Sequence, residues 1–397
     1  AGDFAVLARE LSRHVRMTET EVQAALDRAR KKNDFSPYKP ALLREDLLFD
    51  ELTKWETWES DLPGTSIRTS IKRTYLYGDL FAHQVGYMGE IDANEIEASA
   101  DDYSLGDLWG KRGVEQQLEG LLKGKPGERR VARDRLGREL PLDEASALLH
   151  EFSRLLDGVA EEPGNNVRLS IDLGLQRHIA AAFGDRSGSV VVIDVKTGLV
   201  RAMFNHPTFD PEMFARSISH EEWNALSSDP RHPLEDKALR GTYMPGSTWK
   251  IVTAAAGLGE SAIDEATTFT CTGSMRHGGK DRRCWKAGGH GAVNLHEALK
   301  KSCDVYFYNV GLKLGPDVLA RYARSFGFGV PTGIGLNDEK GGIVPDTEWK
   351  HVTQKKEWQE GETLSIAIGQ SYVSVTPLQL AVAYAALANG GKVLEPH

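Results

Sequence analysis

A serine hydroxyl becomes a nucleophile only when a neighbouring group takes its proton. The stretch Tyr243-Met244-Pro245-Gly246-Ser247-Thr248-Trp249-Lys250 supplies both parts, with Lys250 three residues after Ser247. Pro245 and Gly246 read as a tight turn, and Ile251–Leu258, rich in alanine, reads as a buried helix. That places Ser247 in a first helical turn and Lys250 on the same face. A lysine shielded from water can serve as the base. Free N–H groups of the first turn favour negative charge beside the serine. S-x-x-K recurs at Ser36–Lys39, where Pro37 argues against a helix interior. Taken alone, the pattern fits a helix-start serine followed by a solvated lysine, and it is the context that selects the catalytic reading.

Two more groupings could do chemistry. Ser302-Cys303-Asp304 sets a hydroxyl and a carboxylate two residues apart on a helix-like stretch, Leu295–Val310. Cys271, Cys284 and Cys303 enclose His290 in the order C-x12-C-x5-H-x12-C. This spacing is longer than zinc-finger pairs. Three thiols cannot all pair within one chain. The open readings are a four-donor structural metal site, a Cys271–Cys284 disulfide, or three buried free thiols. If Ser302 and Asp304 face a cleft, Cys303 between them points away, toward a structural site. His277 and His296 are nearby and read as surface residues.

The chain that must position these groups has 397 residues, enough for two or three domains. It is 40% hydrophobic and 26% charged, an ordinary globular composition, and its net charge of -9 argues against nucleic acid. No apolar run approaches the roughly 18 residues of a membrane span, and no signal peptide is visible. Residues 1 to 60 read as helices, among them Leu7–Leu11 and Glu21–Leu26, the latter with a capping box from Thr18 to Glu21. Ser66–Ile71 and Arg73–Gly78 read as strands, and His83 as a structural histidine. Gly110–Glu119 opens a helix ended by Lys123–Gly127, and Arg129–Asp134 reads as an exposed basic strand. Glu161–Asn166 reads as a linker and sets a domain boundary at 160/161. Beyond it, Val167–Ile171 reads as a strand, Leu173–Phe183 as a helix, and Ser189–Asp194 with Leu199–Phe204 as a hairpin around Lys196–Gly198.

Assembled, these pieces resemble the class B penicillin-binding transpeptidases. Tyr243–Lys250 resembles their Y-x-P-G-S-x-x-K box and Ser302–Asp304 their S-x-N box. Gly361–Gln370 followed by Thr376–Ala381 is also similar, with Ser371 where the family more often has glycine. Pro63-Gly64, Arg73-x-Tyr75, His83-x-x-Gly86-Tyr87 and Gly110-x-x-Gly113-x-Glu115 resemble the family's pedestal domain. Asp304, with Trp285–Gly291 ahead of it, resembles the elongation subclass; the division subclass usually keeps asparagine there.

The resemblance implies an α+β architecture. Residues 1–160 would be a β-rich, elongated pedestal (dimerisation-like) domain, and 161–397 a transpeptidase domain with an antiparallel sheet flanked by helices. It implies a peptidoglycan D,D-transpeptidase that cross-links stem peptides through a serine acyl-enzyme during cell elongation and is acylated by β-lactams. Ser247 would be the nucleophile, Lys250 the base, Ser302 a proton relay, and Asp304 a support for Lys250 or the substrate amide. The family's K-[ST]-G strand is expected after these boxes. Lys196–Gly198 instead precedes Ser247 and reads as turn chemistry, and Ser227–Asp229 reads as a loop. The chain therefore reads as truncated before the third box and catalytically incomplete. The subclass also implies a zinc ion near the Ser302 loop, for which this chain offers Cys271, Cys284, His290 and Cys303; none is needed for catalysis. A RodA-type (SEDS) glycosyltransferase and other elongation-complex proteins are the implied partners. The implied location is the periplasmic side of the inner membrane, held by an N-terminal helix outside this chain. The alternatives are a scaffold fragment for such a glycosyltransferase, or a β-lactam sensor or hydrolase.

Overall fold

The computed structural model describes residues 9, 11–12, 17–32, 43–44, 47–58, 67, 73–99, 103, 107–127, 159–215, 218–336 and 338–397. Two compact units form, one from Ala1–Ile71 with Gly127–Ala160, the other from Lys72–Pro126 with Glu161–His397. The 160/161 boundary read from the sequence closes the first unit, but Lys72–Pro126 belongs with the second. Backbone bonds explain this. Lys125 and Glu162 exchange N–H···O=C bonds of 2.8 and 3.0 Å, so the expected linker is tied down. The Tyr75 N–H also donates to Glu212 at 3.0 Å.

In the first unit, α1 (Glu19–Lys32) starts at the capping box expected from its sequence. The Glu21 N–H donates to the Thr18 hydroxyl and the Thr18 N–H to the Glu21 carboxylate. Its apolar face buries Val22 and Leu26 with Leu11, against Met17, Leu43 and Trp55. Helix α2 (Phe49–Trp58) follows. The readings at Leu7–Leu11, Ser36–Lys39, Pro63-Gly64, Ser66–Ile71 and Arg129–Asp134 fall wholly or largely outside the described residues.

The second unit combines helices with antiparallel strand pairs, the α+β class expected. Arg73–Gly78 is not a strand. Gly78, at φ +50°, turns its N–H back to the Tyr75 carbonyl and starts a 3-10 helix, Gly78–Phe81. His83 is structural: buried, with Nε2 2.9 Å from the Pro233 carbonyl. Burial lowers it to about 4, so the neutral ring donates that bond. Strand β1 (Met88–Glu90) pairs with β2 (Leu108–Gly110). The helix expected from Gly110 breaks at Leu118 into Gly113–Gln117 and Glu119–Leu122. Val167–Ile171 lies outside every described ladder, while α3 (Leu173–Phe183) has the expected bounds. Strands β3 (Gly188–Ile193) and β4 (Val200–His206) form the expected hairpin.

The catalytic candidates hang on a helical core. Helix α4 (Lys250–Gly259) is apolar on nearly every face, as a central helix must be. One side carries Ala254 into a cluster with β5 (Phe269–Cys271), β8 (Gly291–Val293) and α6 (Asp304–Leu314). The other carries Val252 and Ala256 against Leu319, Ala320 and Ala323 of α7 (Pro316–Ser325). Between β5 and β8 lie the hairpin strands β6 (Ser274–His277) and β7 (Lys280–Arg283), and α5 (Leu295–Lys300) precedes α6. Helices α8 (Thr347–Gln354), α9 (Glu360–Ile366) and α10 (Pro377–Ala388) complete the unit. Leu364 packs in the first cluster, Ile366 and Ala383 in the second.

Candidate active site

Gly246, at φ +56°, opens a 3-10 turn, Gly246–Trp249, that runs into α4. Its N–H donates to the Gly369 carbonyl at 2.9 Å. Gly369 sits at φ +70°, and a Cβ there would lie 2.4 Å from the Gly246 carbonyl oxygen, so a side chain at 369 would displace the serine turn. Trp249 is buried against Phe328 and anchors the turn from below. Ser247 is left exposed at the turn's surface, while Lys250, one turn on, is 2% exposed.

The stretch expected as one helix, Leu295–Val310, is two. Helix α5 ends at Lys300, and Ser302 takes the left-handed conformation, φ +49°. The Ser302 N–H bonds the Leu299 carbonyl at 3.1 Å and the Cys303 N–H bonds Ala298 at 2.9 Å. These are the two bonds of a Schellman motif, whose left-handed position is normally glycine. A serine held there implies that its side chain is needed. Cys303 then caps α6, and Asp304 is its first residue, where the helix dipole favours a carboxylate.

These breaks bring two of the sequence candidates, Ser302 and Asp304, onto the ammonium of a third, Lys250. Lys250 Nζ donates to Asp304 Oδ1 at 2.6 Å, to Ser302 Oγ at 3.0 Å and to the Ser302 carbonyl at 3.0 Å. Three protons meet three oxygens. Ser302 Oγ in turn donates to Ser247 Oγ at 2.8 Å. The four candidates thus form one chain, Asp304–Lys250–Ser302–Ser247.

One residue in this network carried no sequence-level role. The Trp285 N–H donates to Asp304 Oδ2 at 3.1 Å, and its indole N–H reaches the carbonyls of Lys301 and Ser302 at 3.0 and 3.1 Å. Its place directly after Cys284 was the available signal. Lys196–Gly198 and Ser227–Asp229 take no part. The first is the β3–β4 turn, with Gly198 at φ +86° and the Lys196 and Thr197 N–H groups on Asp194. The second is the end of helix His220–Ser228 with its cap, rather than a loop.

Behind Ser302, the donor atoms of Cys271, Cys284, His290 and Cys303 all lie within 4.8 Å of one another. No disulfide joins the thiols. Sγ of Cys271 and Sγ of Cys284 each stand 3.6 Å from His290 Nδ1. A tetrahedral zinc with ordinary Zn–S and Zn–N bonds separates S from N by about 3.6 Å, so the spacing fits. Burial, with Lys286 and Lys301 nearby, lowers His290 and favours the neutral, ligating imidazole. Burial also pushes the Cys303 thiol up to about 12 in the absence of a metal. His290 Nε2 is buried without a partner among the described residues, so Nδ1 is the atom turned to the thiols. His277 and His296 stay outside the cluster, His277 pairing with Glu360 at 3.2 Å.

Residues 188–397, more than half of the chain, match the family described as penicillin binding protein transpeptidase domain. The chain belongs to this family. Residues 2–150 match the penicillin-binding protein dimerisation domain. Among curated relatives, the peptidoglycan D,D-transpeptidase MrdA of Acinetobacter baumannii is 38% identical over 360 residues, 89% of this chain and 51% of that protein. The Escherichia coli K12 protein of the same name is 34% identical, covering 84% of this chain and 52% of that one. The chain thus spans about half the length of these relatives. Among solved structures, penicillin-binding protein 2 (PBP2) of Helicobacter pylori in complex with MreC matches with TM-score 0.82 at 27% identity, covering all of this chain and 72% of that one. PBP2 of Pseudomonas aeruginosa in complex with WCK 5153 matches with TM-score 0.69 at 33% identity, covering 84% of this chain and 68% of that one. Both solved relatives are penicillin-binding protein 2 by name.

Proposed function

We propose that this chain is the catalytic part of a serine D,D-transpeptidase that cross-links peptidoglycan stem peptides, with β-lactams as its inhibitors. The observation that carries the reading is the hydrogen-bonded chain Lys250–Ser302–Ser247 closed by Asp304. At rest the bonds run outward from the ammonium. Attack runs them inward: once the ammonium has released one proton to solvent, Ser247 gives its proton to Ser302 Oγ as Ser302 gives its own to the neutral Lys250 amine. Each hydroxyl can do both, having one donor and two acceptor lone pairs. Ser247 Oγ then bonds the carbonyl carbon of the penultimate D-alanine. The terminal D-alanine departs on collapse, taking a proton back along the relay. The amine of a second stem resolves the acyl-enzyme by the same steps in reverse. The Ser247 N–H, in a first turn where such groups lack helical partners, is this chain's donor to the oxyanion. Asp304 neutralises Lys250 whenever it is charged. The assay is release of D-alanine with formation of cross-linked dimer from a stem pentapeptide substrate; a protein that processes it equally with Ser247→Ala contradicts the reading.

We further propose that Cys271, Cys284, His290 and Cys303 hold a structural zinc ion. Four-coordinate and closed, such an ion does no chemistry and braces the loop. Cys303 lies between Ser302 and Asp304, and Cys284 precedes the Trp285 N–H that holds Asp304, so the site steadies both ends of the relay. Near one equivalent of zinc with three protected thiols is expected; absent metal and one free thiol would indicate a disulfide instead. The elongation role, a RodA-type glycosyltransferase partner and a periplasmic location at the inner membrane are part of the same proposal, as is a partner like the MreC that accompanies the Helicobacter pylori protein. No described helix is long and apolar enough to cross a membrane.

A further inference from the structure

Beside the nucleophile turn is an open groove of about 770 Å³. It is lined by Tyr243 and Met244, four and three residues before Ser247; chain geometry keeps the Cα atoms of Met244 and Ser247 within about 11 Å. Trp349 and Tyr372, whose rings are 5.3 Å apart, line it as well. Tyr243 and Met244 are 48% and 62% exposed.

Two properties of this groove identify its ligand class. No side chain lining it is charged. A stem peptide carries carboxylates and an amine, and would leave each without a partner here. The groove also offers unengaged polar groups: the Tyr243 hydroxyl, the Thr242 and Ser374 hydroxyls and the Gln354 amide make no side-chain hydrogen bond with the described residues. Exposed aromatic faces ringed by free neutral donors and acceptors suit an uncharged chain with apolar ring faces and many hydroxyl and amide groups. In a peptidoglycan substrate that part is the N-acetylated sugar backbone.

We propose that this groove is a saccharide subsite that seats the glycan strand bearing the stem peptide, and so delivers the peptide to Ser247. The proposal rests on the transpeptidase reading and specifies its substrate. Tyr243 would stack on a sugar ring, and Gln354 would bond its acetamido or hydroxyl groups. Tyr372 is a supporting wall: its hydroxyl donates to Glu362 at 3.0 Å and is not free for a ligand.

The test titrates the protein with tetra-N-acetylchitotetraose, a neutral oligomer, by calorimetry, and in parallel measures acylation by a fluorescent penicillin, which carries no sugar. Saturable binding is expected, weakened about tenfold by Tyr243→Ala and by Gln354→Ala and unchanged by Tyr372→Phe. Penicillin acylation is read on the full-length parent alone, where it reports on the Ser247 relay independently of the titration. No saturable binding overturns the proposal. So does binding that ignores both Tyr243→Ala and Gln354→Ala, or a sugar-free stem pentapeptide that displaces the oligomer. Failure of the full-length protein to acylate would instead remove the transpeptidase reading, which the titration does not touch.

Discussion

Ser302 permits an unusually clean separation of catalysis from folding. It occupies the left-handed position of a helix C-cap, at φ +49°, where a serine is strained and a glycine is at ease. Ser302→Gly relieves that strain, worth about 1 kcal/mol. The same substitution removes a hydroxyl that bonds Lys250 and Ser247, at a net cost of about 1 kcal/mol. The backbone carbonyl of residue 302 and Asp304 still hold the ammonium. Global stability by urea unfolding should therefore change by less than about 1 kcal/mol in either direction. Acylation should not be spared. Removing a proton relay costs typically about 10²–10⁴-fold in rate. Second-order rate constants for a fluorescent penicillin, measured beside the unfolding curves, should show that loss in a protein of parental stability. Ser302→Ala, which keeps the strain and loses the same hydroxyl, should be equally slow and less stable. A Ser302→Gly protein that acylates at the parental rate would refute the relay. One that is slow only because it has unfolded would refute the ledger above.

Asp304→Asn should weaken both stability and acylation, because the carboxylate accepts from Lys250 and from the Trp285 N–H while an amide can accept from only one of them; unfolding should show a loss of about 1–3 kcal/mol. Asp304→Ala, which leaves a buried ammonium uncompensated, should cost about 3–5 kcal/mol in the same measurement. Asp236 provides the pH dependence. Burial raises it from 3.8 to about 6, with Oδ1 accepting from Asn205, Ala238 and Leu239 and Oδ2 buried without a described partner. For an acid raised in the folded state, stability is fully present below pH 3.8 and is lost as pH rises through about 6, by about 3 kcal/mol at most. Asp236→Asn keeps the Oδ1 contacts and should flatten this part of the pH–stability curve. Ser371, at φ +67°, stands where the family more often has glycine, and Ser371→Gly should raise stability by about 1 kcal/mol in urea unfolding.

What was legible in the sequence was local chemistry. The Pro245-Gly246 turn, the alanine-rich helix behind it, the Thr18 capping box and the β3–β4 hairpin each follow from residues adjacent in the chain, and each stands where it was read. Ser247, Lys250, Ser302 and Asp304 converge, a grouping that the family resemblance implied and that their spacing alone did not. What was not legible depended on backbone states and distant partners. The break between α5 and α6 turns on a serine accepting a left-handed conformation, which composition does not announce. Arg73–Gly78 alternates like a strand, but Arg73 is committed to Glu115 at 2.7 Å and Gly78 reverses the chain. Nor does the sequence show that Lys125 and Leu121, some forty residues earlier, supply the backbone of Glu161–Asn166 with partners. The groove beside Tyr243 is a product of tertiary packing alone.

The most direct measurement of the central claim is mass mapping of the protein after exposure to a β-lactam. The account predicts one adduct, on the peptide carrying Ser247, lost in Ser247→Ala and formed far more slowly in Lys250→Ala. An adduct on another residue, labelling that persists in Ser247→Ala, or labelling at the parental rate in Lys250→Ala would contradict it.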